Sequence, residues 1–282
     1  MKVYYELEIV FNEVNYESIY NTLYMFNITS ILEENGKIIV SFPENDTEKL
    51  VQVKVFLINN NIAANNNINV SKLDNLDWNK EWEKTIEPVN IKNKIIIYPS
   101  WKKNEIKKFG EKIFIEIDPK MSFGTGHNET TQLILELMCD YIGENDKTML
   151  DFGCGTGVLS IASIKLGLTY AIAIDIDEDS IENAREYIIL NNVQDKITLY
   201  QSDINEVHDT NFDIICANIT SSVIIPNLIS IYNKLRPNGK LFITGVLTDE
   251  INEVKGALIK NKFDIKETRS KAEWSGMYAI KN

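Results

Sequence analysis

A glycine-rich turn is the first place in this 282-residue sequence where residue types and spacing predict chemistry. Asp151 precedes three glycines at alternate positions, Gly153, Gly155 and Gly157, and apolar runs lie on both sides. Glycine lets a backbone turn tightly and approach a bound molecule closely, and ligands of open α/β sheets bind at the carboxyl ends of strands. The pattern therefore predicts a ligand site where a strand passes into a helix.

The order of the glycines and the acid before them indicate the class of ligand. A dinucleotide site has the spacing G-x-G-x-x-G and places a pyrophosphate on a helix N-terminus, whereas this loop reads G-x-G-x-G. A carboxylate at Asp151 disfavours a phosphate and suits a ligand that carries an amine and a sulfonium. We therefore expect S-adenosylmethionine rather than a nicotinamide dinucleotide as the cofactor. A P-loop is not supported, because the sequence lacks G-x-x-x-x-G-K-[ST].

Polar residues also follow the next three predicted strands. Asp175 ends the first strand predicted after the glycine turn, about 20 residues beyond the glycines. A carboxylate at that place can bind both ribose hydroxyls of a nucleoside. Asp177 and Asp179 are expected to cap the next helix. Asp203, after the second of these strands, fits a contact to the adenine amine or a turn. Asn218, after the third, fits an amide that accepts a hydrogen bond from an amine substrate, or a turn residue.

A second loop, from Asp118 to Thr131, precedes a helix predicted over Gln132 to Cys139. It contains two glycines and several hydroxyl side chains, which favours a loop that closes over a ligand. Thr130 and Thr131 fit the first residues of the helix equally well.

Composition and charge limit the other classes of function. The formal net charge of −12 disfavours a nucleic-acid substrate and fits either attraction of basic partners or an acidic surface that simply keeps the protein in solution. Residues 1–90 are the more acidic part, with 7 Lys and Arg against 14 Asp and Glu. Three scattered cysteines and two histidines argue against disulfides and against a metal site. Without a signal peptide pattern or an apolar run that could span a bilayer, a cytoplasmic protein that binds no membrane is expected.

The elements that position these residues are predicted to form two domains and a linker. Residues 1–75 follow the order β-α-β-β-α-β of a ferredoxin-like α+β fold, with a hairpin at Asn35-Gly36. Residues 76–111 are predicted to be a linker whose lysines fit either a solvated surface or contact with RNA. In residues 112–282 strands and helices alternate, which predicts an α/β fold with a doubly wound, mainly parallel sheet and one antiparallel strand at its edge. Its strands are predicted at Ile113–Ile117, Thr148–Phe152, Tyr170–Asp175, Lys196–Gln201, Phe212–Ala217, Lys240–Thr244, Phe263–Lys266 and Met277–Lys281.

Taken together, these motifs resemble the PrmA family, the methyltransferases of a ribosomal protein at the stalk base of the large subunit. The resemblance covers essentially the whole chain. The chain departs from the family pattern after the Phe-Gly-Thr-Gly run, where the family usually has Thr-His-Pro and this chain has His127-Asn128-Glu129. The segments that carry it are Phe123-Gly-Thr-Gly126, Thr130-Thr131, Asp151 to Gly157, Asp175, Asn218-Ile219, Asp77-Trp78, Trp82, Pro88, Pro99-Ser-Trp101 and Glu273-Trp274.

The resemblance implies a methyltransferase fold, S-adenosylmethionine as cofactor, and an N-terminal domain that recognises the substrate. The implied acceptors are lysine amines, and an N-terminal amine, of a large-subunit ribosomal protein. We expect a monomer. Asn218 is the candidate for orienting the amine, and no residue is identified as a general base. The implied cofactor positions are Thr131, Gly153, Asp175 and Asn218, to which the loop patterns add Phe123, Asp151 and Gly155.

The sequence is compatible with two other functions. The first is methylation of another protein lysine or of RNA, although Asn218-Ile219-Thr220 lacks the Asn-Pro-Pro-Tyr pattern of enzymes that methylate planar nitrogens. The second is a non-catalytic adaptor that binds S-adenosylmethionine, because an intact glycine loop is compatible with binding alone.

Overall fold

The computed structural model describes residues 4–12, 14–28, 31–34, 36–43, 46–73, 86–118 and 126–282. The chain divides into two compact units, residues 1–86 and 87–282. Residues 87–111, which the sequence assigned to a linker, thus belong to the second unit. In the described ranges no helix is long and apolar enough to cross a membrane.

The first unit has the ferredoxin-like order that the sequence predicted. Its four strands lie in the order β2-β3-β1-β4, each antiparallel to its neighbour. Alternate residues of β1 and β3, such as Leu7 and Ile38, are buried against Ile19 and Leu23 of the first helix, as expected for a sheet with one covered face. The elements are β1 Tyr4–Val10, α1 Tyr16–Met25, β2 Leu32–Glu34, β3 Lys37–Pro43, α2 Thr47–Asn59 and β4 Ile68–Leu73.

The second unit begins with a small sheet of three strands, β5 Val89–Ile91, β6 Ile95–Tyr98 and β7 Ile113–Glu116, in that order. Every residue of β6 is buried, as suits the central strand of the three, and β6 is antiparallel to β5 and parallel to β7. The strand predicted at Ile113–Ile117 therefore exists, but it belongs to this small sheet and not to the main one.

The main sheet has seven strands in the order β10-β9-β8-β11-β12-β14-β13. Its parallel strands are nearly continuous apolar runs, as in sheets covered on both faces. Helices α3, α4 and α5 share one core with the small sheet, and α6 and α7 cover the other face. The elements are α3 Glu129–Tyr141, β8 Thr148–Phe152, α4 Val158–Lys165, β9 Tyr170–Asp175, α5 Glu178–Leu190, β10 Ile197–Gln201, β11 Phe212–Asn218, α6 Ser221–Lys234, β12 Leu235–Leu247, α7 Ile251–Lys260, β13 Phe263–Lys271 and β14 Trp274–Lys281.

The strand order reverses at β8, which has β9 on one side and β11 on the other. In open α/β sheets, the crevice for a ligand forms at such a switch point, beyond the carboxyl ends of the strands. The loops after β8, β9, β10 and β11 therefore converge on one edge of the sheet.

The antiparallel strand is not at the edge of the sheet, and in this respect the prediction was wrong. Strand β14 is antiparallel to both of its neighbours, β12 and β13, and lies between them. The burial of the two strands agrees with this arrangement. Five consecutive residues of β14 are buried, whereas β13 is mostly polar and half-exposed, which suits the edge of the sheet.

Candidate functional site

A cavity of about 300 Å³ opens where the loops after β8, β9, β10 and β11 meet. This volume is at the lower end of the range of small-molecule sites, roughly 300–1,000 Å³. Four of the predicted cofactor positions, Gly153, Gly155, Asp175 and Asn218, line it. The full lining is Phe152, Gly153, Gly155, Asp175, Ile176, Ser180, Ser202, Asp203, Asn218, Ile219 and Val223.

The glycine loop needs glycine for both conformation and space. Gly153, Gly155 and Gly157 have φ angles of 75°, 52° and 74°, in the left-handed region that side chains disfavour. A Cβ on Gly153 would also lie 2.5 Å from Cγ2 of Ile219, and one on Gly157 would lie 3.3 Å from Cβ of Ala184. The first glycine thus lets the loop approach the cavity wall, and the third lets α4 pack on α5.

Most backbone donors of this loop already have acceptors within the protein. The N–H groups of Gly153 and Cys154 both donate to the carbonyl of Ile174 at 2.9 Å, and that of Gly157 donates to Cys154 at 2.8 Å. The N–H of Gly155 donates to the Asp175 carboxylate at 3.0 Å. A pyrophosphate needs such donors free, so the arrangement favours a ligand without phosphate.

The Asp175 carboxylate is held at the junction of the glycine loop and the end of β9. One oxygen accepts the Gly155 hydrogen bond, and the other accepts one from the N–H of Asp177 at 3.1 Å. Asp177 itself caps α5 by accepting from the N–H of Asp179, as predicted. Asp203 caps the following 3-10 turn and also lines the cavity, so its turn role is present in the structure.

Asp151 lies beneath the loop and does not line the cavity. It is fully buried, and one carboxylate oxygen accepts from the N–H and the hydroxyl of Ser160 at 3.1 and 2.7 Å. Its other oxygen has no hydrogen-bond partner in the described ranges. Burial raises the pKa of Asp151 to about 7, against the lowering effect of the Ser160 hydrogen bonds. The carboxyl thus fixes the start of α4, and its contact with a ligand amine stays a prediction.

Thr131 and Asn218 are brought together from distant parts of the sequence. The Asn218 amide nitrogen donates to the hydroxyl oxygen of Thr131 at 3.2 Å. Thr131 is fully buried in the first turn of α3. The amide oxygen of Asn218 is buried and has no partner among the residues that the structure describes. The arrangement leaves this oxygen available to accept a hydrogen bond from a bound molecule.

Sequence reasoning missed several residues of the cavity. The hydroxyl of Ser202 is buried and, within the described part of the chain, without a partner. Ile176 and Val223 are apolar yet 73% and 40% exposed, which suits contact with the flat face of a ligand. The one available signal was position, since Ser202 and Ile176 each directly follow a parallel strand.

Residues 119–125 of the second predicted loop, which include Phe123, lie outside the described residues. Gly126 has a φ of 86°, and a Cβ there would lie 2.6 Å from Cδ1 of Ile97. His127 Nε2 lies 3.2 Å from the carbonyl oxygen of Glu87. The described end of this loop therefore packs against the small sheet.

Comparison with known proteins assigns the chain to a family. A family model described as ribosomal protein L11 methyltransferase (PrmA) matches residues 4–282. Curated relatives with that name include one from Thermoanaerobacter pseudethanolicus, 35% identical over 264 residues, with 90% of this chain and 83% of that protein covered. Another, from Halalkalibacterium halodurans, is 31% identical over 266 residues, with 92% and 84% covered.

A solved structure agrees with these matches. The ribosomal protein L11 methylase from Lactobacillus delbrueckii subsp. bulgaricus is similar with a TM-score of 0.63 and 27% identity, over 70% of this chain and 100% of that one. The family model, the curated relatives and the shared fold agree, and the chain belongs to the ribosomal protein L11 methyltransferase (PrmA) family.

Proposed function

We propose that this chain transfers methyl groups from S-adenosylmethionine to amines of ribosomal protein L11, lysine ε-amines in particular. The cavity beside the glycine loop is the main support for this function. Two buried oxygens there, Ser202 Oγ and Asn218 Oδ1, have no hydrogen-bond partner in the described ranges. The names of the relatives support the substrate.

The residues of the cavity fit S-adenosylmethionine better than a dinucleotide. The Asp175 carboxylate is placed to accept hydrogen bonds from ribose hydroxyls, and Ile176 and Val223 offer apolar surface to the adenine. Buried polar atoms normally have hydrogen-bond partners, and the Ser202 hydroxyl suits the adenine edge. Few free backbone donors and a carboxylate beneath the loop favour a cationic ligand over a phosphorylated one.

Gly153, Asp175 and Asn218 line the cavity and would hold the cofactor, which supplies a methyl group activated by a sulfonium. Thr131 does not line the cavity and would act through its hydrogen bond with Asn218. The protein contributes chiefly position and exclusion of water. Asn218 Oδ1 accepts a hydrogen bond from the substrate amine and so directs the nitrogen lone pair. Because a free lysine has a pKa of about 10.4, a dry site is needed to favour the neutral amine. The lysine ammonium loses its proton to bulk water as it enters the site, so that the neutral amine is the nucleophile. Asn218 acts as an orienting group only.

The first unit offers a surface suited to a basic partner. Tyr16, Tyr20 and Tyr24 follow one face of α1, with ring centroids 4.8 and 6.1 Å apart. The hydroxyls of Tyr16 and Tyr20 both donate to one carboxylate oxygen of Glu33, at 3.0 and 3.2 Å. Tyrosine is frequent at energetically important interface positions, and aromatic faces attract Lys and Arg. We assign substrate recognition to this tyrosine strip. We further propose that the protein acts in the cytoplasm as a monomer.

Incubation with labelled S-adenosylmethionine and an extract of ribosomal proteins and RNA tests the function. Label on one small ribosomal protein, identified as L11 by mass spectrometry, is the expected result. Label on RNA or on another protein would favour a different acceptor, and absence of label despite cofactor binding would favour the adaptor. A Gly153→Arg variant is the control for transfer that does not depend on the cavity.

A further inference from the structure

We propose that Gly245 is a positioning residue. It fixes where the Asn218 loop, residues Asn218 to Thr220 at the end of β11, lies relative to the cavity. This role rests on the proposed function. Gly245 lies in β12 and has a φ of 81°. The pairing of β12 with β14 shifts register between Ile243 and Val246, around this glycine. A Cβ on Gly245 would lie 2.6 Å from the carbonyl oxygen, 2.9 Å from the carbonyl carbon and 3.0 Å from the nitrogen of Ile219.

These neighbours are backbone atoms, so no side-chain rotation relieves the contact. The other side of Ile219 is equally confined, because its Cγ2 would lie 2.5 Å from a Cβ on Gly153. Strand β11 lies between β8 and β12. Ile219 is therefore enclosed between Gly153, in the loop after β8, and Gly245, in β12, and the lack of side chains on both glycines allows the loop after β11 to lie where it does.

Glu250 provides a second link between the end of β12 and this loop. Its Oε2 accepts a hydrogen bond from the hydroxyl of Ser221 at 2.9 Å and another from the N–H of Leu247 at 3.3 Å. Ser221 is the first residue of α6 and follows the Asn218 loop directly. Neither Gly245 nor Glu250 lines the cavity, so both act on the reaction only through the loop.

The position of Asn218 Oδ1 depends on this support from β12. In the Gly245→Ala variant the added methyl group pushes the Ile219 peptide away and carries the Asn218 amide with it. A misplacement of about 1 Å at a reacting centre can reduce the rate about a hundredfold. We expect kcat for L11 methylation to fall by about tenfold to a hundredfold, with a smaller change in KM for L11 and in cofactor affinity.

Gly110→Ala is the matched control. Gly110 has a φ of 69°, and a Cβ on it would have no other atom within 4 Å, so alanine there introduces similar backbone strain without a contact. Both variants should lower the melting temperature, but only Gly245→Ala should lower kcat. Equal losses of kcat in the two variants, or a wild-type kcat for Gly245→Ala, would overturn the inference.

Glu250 supplies a second, independent readout. Glu250→Gln keeps an acceptor for Ser221 and should retain kcat, whereas Glu250→Ala should lower it severalfold. Equal activity of the alanine variant and the wild type contradicts the role of this link. Failure of the wild-type protein to methylate L11 counts against the proposed function, whereas a wild-type methylation rate in Gly245→Ala counts against the positioning role alone.

Discussion

The amide nitrogen of Asn218 lies 3.2 Å from the hydroxyl oxygen of Thr131, although 87 positions separate the two residues. This hydrogen bond joins the end of β11 to the first turn of α3. The bond uses the amide nitrogen of Asn218 and leaves the amide oxygen available as a hydrogen-bond acceptor at the cavity. The bond thus links the fold of the second unit to the chemistry proposed for it.

Replacement of Thr131 by valine tests that link. Valine keeps the shape of threonine but removes the acceptor, and a buried donor left without a partner costs about 1–3 kcal/mol. The Asn218 amide is then free to rotate, and we expect kcat for L11 methylation to fall about tenfold or more. Thr131→Ser keeps the hydroxyl and should stay near the wild-type rate. Wild-type kinetics for Thr131→Val would show that the bond has no role in turnover.

Gly153→Arg should abolish cofactor binding. The side chain would enter a cavity of about 300 Å³ and displace Ile219. Calorimetric titration with S-adenosylmethionine should give no measurable binding, while circular dichroism shows a folded protein. Gly167→Arg is the control, because Gly167 also has a positive φ of 116° but open space around it. Normal cofactor binding by Gly153→Arg would mean that the glycine loop has been misassigned.

The buried carboxyl of Asp151 predicts an unusual dependence of stability on pH. Burial raises its pKa to about 7 in the folded chain, whereas an unfolded Asp titrates near about 3.9. Between these values the folded state binds more protons, so the contribution of Asp151 to the free energy of unfolding falls as pH rises from about 4 to about 7. Each pKa unit corresponds to about 1.4 kcal/mol.

Asp151→Asn removes this titration. The free energy of unfolding of the variant minus that of the wild type should therefore be larger at pH 8 than at pH 5, as measured by urea unfolding at both pH values. Parallel stability profiles of the two proteins would refute the raised pKa.

The tyrosine strip of the first unit should act on substrate binding only. The double variant Tyr20→Ala, Glu33→Gln removes an aromatic face and a carboxylate, so KM for L11 should rise about tenfold or more. Its kcat and its affinity for S-adenosylmethionine should not change. Tyr200→Ala, at a half-exposed tyrosine of β10, is the matched control. An unchanged KM would place recognition elsewhere on the protein.

The sequence alone was sufficient where the signal is local. Each glycine of the loop has a conformation that its type predicts, and the cap at Asp177 follows from its position before a helix. The alternation of strands and helices likewise predicted the doubly wound sheet.

Contacts between distant segments could not be predicted in the same way. Asp151 directly precedes the loop, yet its burial against Ser160 depends on how α4 returns over the sheet. Strand β14 lies between β12 and β13, although β13 precedes it in the chain, and this pairing order is set by long-range contacts. In the sequence, Gly245 directly follows the strand predicted at Lys240–Thr244, and its contact with Ile219 exists only after β11 and β12 have paired.

The central claim is that the cavity beyond Phe152 binds a sulfonium nucleoside and not a pyrophosphate. Calorimetric titration of the wild-type protein with S-adenosylmethionine and, separately, with a nicotinamide dinucleotide tests it most directly. The account predicts saturable one-site binding of S-adenosylmethionine and no binding heat with the dinucleotide. Binding of the dinucleotide, lost in Gly153→Arg, together with no binding of S-adenosylmethionine would contradict it.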